Sequence, residues 1–295
     1  MTPWQKGWRA ASPWGAAGRV WLAWPATSGD AERDDALRED CLDLATLISE
    51  VTDVTLLANP DDVADASLRS PAGVKTVPAV HRLTSLRAAA PLYLVDSAGA
   101  PVGGLLGEGE AGRLLLQAVG LPVLPGPSWL AAGAVECDGA GTVLASERAL
   151  LERAGLARAV AEHQMGEWLG AERVVWLATP EDEAAVTRVA RLVGPGTVAA
   201  VEWGDNCARL SAVGLTVVAL PSPRRHGAWA SYADCLMMGN DVVVPRYGEA
   251  CDNDARGLLA AALPGRNVTS YPVGILGGLG SLAVVEPALG AEFIP

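Results

Sequence analysis

Apolar and polar residues along this chain alternate in blocks that recur about every 50 residues. Each block contains two strands joined by a glycine turn, then a helix, then a third strand. The pattern is clearest after residue 133. The predicted elements of the three later units are strands 133–137 and 142–145, helix 156–169 and strand 173–178; strands 185–192 and 197–202, helix 206–213 and strand 215–220; and strands 232–238 and 241–247, helix 252–263 and strand 267–273.

The first half of the chain shows the same pattern less completely. A three-stranded sheet cannot bury both of its faces alone, so about five such units must close around a shared axis. This predicts an α/β propeller with a central pocket where the inner strands meet. The predicted elements of the first two units are strand 20–24, helix 34–50 and strand 54–58, followed by strands 74–77 and 91–95 and helix 111–119.

Glycine, proline and aspartate mark several of the predicted element ends. Asp252 or Asn253 can cap the first amides of helix 252–263, and Pro264 with Gly265 ends that helix. Two glycine-rich segments, 103–107 and 274–280, superficially resemble phosphate-binding loops. Neither has the lysine and the Ser or Thr that such a loop requires, so we interpret both as tight turns.

Composition narrows the class of protein. Half of the 295 residues are apolar and 19% are charged, which is typical of a globular protein. The net charge of −12 gives no basic surface for nucleic acid or for an anionic membrane. The five cysteines form no C-x-x-C pair, which argues against a disulfide framework and against a structural zinc site. We therefore expect a cytoplasmic protein without a metal or another cofactor.

Short motifs in the chain match those of a known family. Residues 21–25 (WLAWP) are similar to W-x-A-W-P, residues 230–235 (ASYADC) to A-S-Y-x-N-F, and residues 242–248 (VVVPRYG) to V-I-V-P-Q-F-G. Leu276-Gly277-Gly278 and Glu286-Pro287 fit a closing segment. The chain thus resembles the pentein superfamily, and within it the agmatine deiminase and bacterial-type peptidyl-arginine deiminase family. The resemblance implies a pentein-type α/β propeller of about five ββαβ units.

The resemblance also implies a set of catalytic positions. In that family a cysteine attacks the guanidinium carbon, a histidine transfers protons, and acidic residues bind the cationic substrate. A guanidinium stays charged at any working pH and needs carboxylates when it leaves water. Other residues stand at these positions in this chain: Gly280 and Ser281 for the histidine and the cysteine, Leu83 and Ala88 for two aspartates, Ala131 for a glutamate, and Ala185 and Thr187 for a histidine and an aspartate.

These substitutions lead to the hypothesis of a non-catalytic family member that acts as a protein-binding, scaffold or regulatory subunit. Its partner would be an active paralogue, another enzyme of the pathway or a second copy of the chain. The alternative is an active hydrolase or amidine-processing enzyme of altered chemistry, acting on a guanidine, an amidine or a related small substrate. Its nucleophile would be Ser281, with His81 or His226 as the base, or one of three cysteines: Cys207, Cys235 or Cys251.

Two sets of residues are candidates for binding. The resemblance places five residues around the pocket: Trp24, Arg87, Arg188, Asp234 and Ser281. Trp4, Trp8 and Trp14 stand in a segment rich in Pro, Gly and Arg. They would either bind a partner protein as an exposed arm or pack against the chain's own propeller. We expect one pentein-like domain over residues 1–295, with residues 1–18 as this tryptophan-rich arm.

Overall fold

The computed structural model describes residues 1–79, 90–107, 111–130, 133–180, 185–223, 230–276, 279 and 283–288. These residues form five small sheets of three or four strands each. The strands are β1 (Arg9–Ala10), β2 (Ala17–Ala23), β3 (Asp53–Ala58), β4 (Lys75–Pro78), β5 (Leu92–Val95), β6 (Pro101–Leu106), β7 (Val123–Pro125), β8 (Val135–Cys137), β9 (Thr142–Ser146), β10 (Arg173–Leu177), β11 (Ala190–Gly194), β12 (Thr197–Val201), β13 (Thr216–Leu220), β14 (Leu236–Met238), β15 (Asp241–Arg246), β16 (Asn267–Pro272) and β17 (Ala283–Pro287).

Helices connect the strands within the units. They are α1 (Ala31–Ser49), α2 (Val63–Arg69), α3 (Ala111–Ala118), α4 (Arg158–Leu169), α5 (Asn206–Ala212) and α6 (Asp252–Ala262). Short 3₁₀ turns cover Trp4–Lys6, Pro60–Asp62, Val186–Arg188 and Gly274–Leu276, and a π-helical turn covers Arg148–Arg153. No helix among the described residues is long and apolar enough to cross a membrane.

The five sheets share one plan. Their strand orders are β17-β2-β3-β4, β1-β5-β6-β7, β8-β9-β10, β11-β12-β13 and β14-β15-β16. In each unit the first two strands run antiparallel and the third runs parallel to the second, because a helix returns the chain to the end where the second strand began. The unit is therefore the ββαβ repeat that the sequence predicts, and the first strands of the units are β17, β5, β8, β11 and β14.

Buried apolar clusters join neighbouring sheets into a ring. One cluster contains Trp21 of the first sheet and Tyr93 of the second, and another contains Leu94 of the second and Val143 of the third. Leu144 of the third sheet packs with Leu192 of the fourth. The largest cluster unites the fourth, fifth and first sheets, so the ring closes through strand β17, which pairs with β2. The fold class predicted from the sequence is confirmed.

The structure corrects the prediction for the second unit. The strand predicted at 74–77 is β4, which pairs with β3 and belongs to the first sheet. The second sheet is built from β5, β6 and β7, and the arm adds β1 beside β5. Strands of two or three residues, such as β1 and β7, are too short for any periodicity to reveal.

The glycines at 103 and 104 lie inside strand β6, so the prediction of a tight turn at 103–107 is wrong. A Cβ on Gly104 would stand 2.5 Å from Cδ2 of Leu116 on helix α3. One on Gly103 would stand 2.8 Å from Cδ1 of Leu124. Glycine is needed here because the helix and the neighbouring strand approach the backbone of β6 closely.

The start of helix α6 also differs from its prediction. The N-cap position is Cys251, and the Asp252 carboxylate accepts hydrogen bonds from the Tyr247 amide, the Glu249 amide and the Tyr232 hydroxyl. Burial raises the pKa of Asp252, but these hydrogen bonds outweigh it and leave the pKa lowered. Asp252 therefore fixes the loop before the helix. The predicted end of this helix before Pro264-Gly265 is confirmed, since α6 ends at Ala262.

Candidate functional site

The first strands of the five units surround a cavity of about 250 Å³ on the propeller axis. Residues of β5, β8, β11, β14 and β17 line it, and residues 11–13, 15 and 16 of the arm line it too. Most of the lining is apolar. The polar side chains in it are Ser12, Tyr93, Glu136, Thr187 and Arg191, and two cysteines, Cys137 and Cys235, also line it.

Two ion pairs stand at the axis, each between neighbouring units. Nη1 of Arg191 on β11 lies 3.1 Å from Oε1 of Glu136 on β8, and Oε2 of Glu136 accepts a hydrogen bond from the Leu192 amide at 3.0 Å. Nη1 of Arg188 lies 3.0 Å from Oδ2 of Asp234. All four side chains are largely buried. Because a buried charge is costly without a partner, each pair fixes the relative position of the two units that it joins.

The two pairs are electrostatically connected. Burial lowers the pKa of Arg191, but the nearby negative charges of Glu136 and Asp234 help to raise it by more, so this guanidinium stays charged. Burial raises the pKa of Cys235 to about 12, even though Arg191 lowers it in part. Burial likewise raises the pKa of Cys137. Both thiols are therefore protonated at neutral pH.

Three polar atoms in the lining lack a hydrogen-bond partner within the described part of the chain. They are the Tyr93 hydroxyl, Oγ1 of Thr187 and Nε of Arg191. Tyr93 and Thr187 are each 7% exposed, so bulk water does not satisfy them. Buried polar atoms without partners are rare in proteins, and these three belong to residues that line the cavity, although almost none of their own surface is accessible.

The structure brings several of the predicted residues together. Thr187 lines the cavity, and Arg188 and Asp234 pair beside it. Ala185 is buried and precedes the 3₁₀ turn Val186–Arg188, which replaces the first part of the strand predicted at 185–192. The predictions for the following residues lie outside the described residues: His81, Leu83, Arg87, Ala88, Ala131, His226, Gly280 and Ser281.

Trp24 does not line the axial cavity. Its side chain is 2% exposed and belongs to the largest apolar cluster. The guanidinium carbons of Arg38 and Arg69 lie 5.7 Å and 6.0 Å from the centre of its ring. Trp24 therefore supports the first unit through packing and cation–π contacts, and a role for it in substrate binding stays a prediction.

The other cysteine candidates also lie away from the cavity lining. Cys207 is half-buried, and burial raises the pKa of its thiol. The thiol of Cys251 lies 3.3 Å from the hydroxyl of Tyr232. Of the three candidate cysteines, the structure places only Cys235 against the cavity.

The three arm tryptophans lie against the chain's own propeller to different degrees. Trp8 packs on the cluster between the second and third sheets, and Trp14 packs on two clusters. Trp4 lies next to Gly170 at the end of α4 and is 46% exposed. Binding of a partner protein by these residues stays a prediction, and Trp4 offers the largest free surface for it.

Sequence reasoning missed Tyr93, Glu136 and Arg191. The available signal was a charged residue inside an apolar strand, because Glu136 stands between Val135 and Cys137, and Arg191 between Ala190 and Leu192. An unpaired charge is rarely buried, so two such residues in neighbouring units indicate a pair. Among the described residues, no group of three or more His, Cys, Asp or Glu is arranged to hold a metal ion.

The ring of five ββαβ units around a central cavity defines the class, an α/β propeller of the pentein type. Solved structures share this fold: the agmatine deiminase of Enterococcus faecalis has a TM-score of 0.85 at 19% identity, covering 98% of each chain. A C. jejuni agmatine deiminase variant with substrate bound has a TM-score of 0.82 at 18% identity, covering 96% of this chain and 97% of that one. Likeness at this level of identity shows the fold.

The family follows from the sequence comparison. The chain belongs to the Porphyromonas-type peptidyl-arginine deiminase family, whose model matches residues 9–283. A Vibrio parahaemolyticus protein described as "Putative agmatine deiminase" is 26% identical over 337 residues, which cover 92% of this chain and 93% of that protein. The chain thus matches relatives with this description along about nine-tenths of their length.

These findings overturn the hypothesis of a non-catalytic scaffold or regulatory subunit. The relatives carry the names of enzymes, and the solved neighbours include one described as catalysing its reaction. The hypothesis rested on single aligned positions, of which 88, 131 and 281 lie outside the described residues. The match along the whole chain favours the alternative, a hydrolase.

Proposed function

We propose that this chain is a hydrolase that cleaves a C–N bond of a small guanidine, amidine or related substrate in the axial cavity. The observation that carries the proposal is the presence of four polar side chains among the otherwise mostly apolar residues that line the cavity: Tyr93, Glu136, Thr187 and Arg191. Membership of a family of deiminases supports the reaction type. A cavity of about 250 Å³ suits a small substrate.

The reaction requires a nucleophile, and Ser281 and Cys235 are the proposed candidates. The serine oxygen or the cysteine sulfur forms a bond to the central carbon, the C–N bond breaks, and the nitrogen leaves with a proton as ammonia or an amine. Water then adds to the same carbon and releases the nucleophile. Burial leaves Cys235 mostly a thiol at neutral pH, so a role for it requires a base that removes the proton during the attack.

The described residues supply orientation and charge. The Arg191–Glu136 and Arg188–Asp234 pairs are fixed before the substrate arrives, so their dipoles need no reorganisation during the reaction. The Thr187 hydroxyl can donate to or accept from the substrate. These roles together describe a preorganised pocket in a water-poor environment.

The experiment is an assay for ammonia release by the purified protein. The substrates are agmatine, arginine, a peptide with internal arginine, and simple amidines, amides and ureas. We expect turnover of at least one compound, with loss of activity in either Ser281→Ala or Cys235→Ser and a reduced rate in Thr187→Val. Circular dichroism of each variant checks the fold. Absence of release from every compound would contradict the proposal.

We also propose a cytoplasmic location. All five cysteines are free in the structure, which fits a reducing compartment. A protein partner or a second copy of the chain stays a prediction, which light scattering of the purified protein will test.

A further inference from the structure

Residues 11–16 of the arm, called here the arm segment, are held by contacts with several units of the ring. The Ala11 amide donates a hydrogen bond to a carbonyl oxygen of β5 at 2.8 Å, and the Ala288 amide beyond β17 donates one to the Ala16 carbonyl oxygen at 2.7 Å. Between these two points, Trp14 packs on the apolar clusters that involve the other sheets. The arm segment is therefore fixed at both ends and in its middle.

Two hairpin turns show at which end of the ring the arm segment lies. In the β8–β9 turn, a Cβ on Gly139 would stand 3.1 Å from the nitrogen of Ser12. In the β14–β15 turn, a Cβ on Gly239 would stand 3.5 Å from Cα of Ala16. Both glycines have a positive φ, which favours glycine in these turns. The arm segment thus lies at the hairpin end of the ring, where the first strands of the units finish.

The axial cavity extends along the first strands as far as the arm segment. Thr187 and Cys235 precede β11 and β14, so they line the cavity at the end where the first strands begin. Cys137 and Pro287 are the last residues of β8 and β17, and they line it at the hairpin end together with Ser12. The arm segment therefore forms a wall of the cavity on the side away from Thr187 and Cys235.

This wall is built from small residues. The residues of the arm segment that line the cavity are Ala11, Ser12, Pro13, Gly15 and Ala16. Short side chains leave the cavity the space that longer ones would occupy, and a ligand that fills a cavity of about 250 Å³ must lie against its walls. Ser12 is the residue of this wall whose side chain carries a polar group.

We infer that the arm segment is part of the substrate site and that Ser12 is a specificity-determining residue, which limits the size of the guanidine or amidine compound that the cavity admits. The inference rests on the proposed function in taking the axial cavity as the substrate site. It gives the arm a role in selecting the substrate, in addition to its packing on the ring.

The decisive experiment enlarges Ser12 and measures the binding of two probes of different size. Methylguanidinium and n-butylguanidinium share the same charged group and differ only in the length of the alkyl chain. In isothermal titration calorimetry of the full-length protein, Ser12→Leu is expected to weaken the binding of n-butylguanidinium at least about tenfold and that of methylguanidinium less than about threefold. The reason is that only the longer probe needs the space beside the arm segment.

Ser97→Leu is the matched control for Ser12→Leu. It makes the same substitution at an exposed position in the β5–β6 turn, at the same end of the ring but outside the cavity lining, and is expected to leave both affinities unchanged. Three results would overturn the inference: equal effects of Ser12→Leu on the two probes, equal effects of Ser97→Leu and Ser12→Leu, or a failure of both probes to bind the wild type.

Ligand protection gives a second readout, which decides the question if circular dichroism shows that Ser12→Leu is unfolded. Ser12→Cys exchanges only the side-chain oxygen for sulfur. Saturating n-butylguanidinium is expected to slow the reaction of the introduced thiol with methyl methanethiosulfonate at least about fivefold. Mass spectrometry of peptides follows Cys207 and Cys251 in the same sample, and their rates should not change. Equal rates at position 12 with and without the probe would contradict the inference.

Binding and turnover separate this inference from the proposed function. If Ser12→Leu selects against the longer probe but no compound releases ammonia, the proposed hydrolase activity fails and the role of the arm segment stands. If a compound is hydrolysed but the substitutions at Ser12 change neither affinity nor protection, the inference fails and the hydrolase stands.

Discussion

Glu286 illustrates how one buried side chain can tie two ends of the propeller together. It lies on β17, is 3% exposed and accepts a hydrogen bond from Nε1 of Trp21 on β2 at 2.9 Å. Burial raises the pKa of Glu286, although the hydrogen bond from Trp21 and the charge of Arg19 lower it in part. The folded state therefore binds this proton more tightly than the unfolded state.

The raised pKa predicts a pH-dependent gain from Glu286→Gln. For the wild type, the contribution of this group to stability falls as the pH rises from the ordinary glutamate value through the raised one, because the buried carboxylate must ionise. Glutamine keeps an acceptor for Trp21 and does not ionise. The free energy of unfolding of the variant, relative to wild type, should increase between pH 4 and pH 8 in urea titrations.

A matched control for this prediction is Trp21→Phe. It removes the donor to Glu286 and should destabilise the protein across the whole pH range. A difference between Glu286→Gln and wild type that stays constant with pH, or that shrinks as the pH rises, would show that the pKa of the buried carboxylate is not raised.

At the scale of elements, two glycines in different surroundings give opposite expectations. Gly104 in strand β6 faces Leu116 of α3 with no space for a methyl group, whereas Gly257 in helix α6 is exposed and has no atom within 4 Å of the place where a Cβ would stand. Gly104→Ala should destabilise the protein by about 1–3 kcal/mol through overpacking. Gly257→Ala should stabilise it by about 0.5–1 kcal/mol through helix propensity.

Thermal and urea unfolding of the two variants test this pair directly. Because both changes add one methyl group, their difference isolates the effect of the surroundings. Equal effects of the two substitutions would mean that α3 does not press on β6 as the structure shows.

At the scale of the whole molecule, the packing of the ring predicts thiol reactivity. Cys41, Cys137 and Cys235 are buried, and burial raises the pKa of Cys41 and of Cys235 to about 12. Only Cys207 and Cys251 are partly exposed. Ellman's reagent should therefore modify at most two of the five thiols in the native protein and all five in guanidinium chloride.

Substitution identifies the reactive thiols. Cys251→Ser should lower the native count by one, and Cys41→Ser should leave it unchanged. Rapid reaction of three or more thiols under native conditions would mean that the ring opens in solution.

The sequence predicted those features that arise within one unit. The hairpin and helix of the unit that contains β14, β15 and β16 could be predicted, because glycine turns separate its apolar strands. The contribution of β1 to the second sheet could not be predicted, because a strand of two residues shows no periodicity and its partner strand β5 lies far along the chain.

The site residues also fall into two groups, those that sequence motifs indicate and those that only the folded chain brings together. Thr187, Arg188 and Asp234 were found through the family resemblance, because they stand at aligned motif positions. The pairing of Arg191 with Glu136 joins different units, and only the closed ring brings the two together. This ion pair is thus a property of the tertiary structure, which local patterns do not contain.

The pairing of β2 with β17 sets an order of events during synthesis. Trp21 and Glu286 are separated by 265 positions, so β2 leaves the ribosome long before its partner strand exists. Until then the growing chain carries an open strand edge that is prone to non-native pairing. The axial cavity consequently becomes complete only after β17 has left the ribosome, because residues of this strand line it.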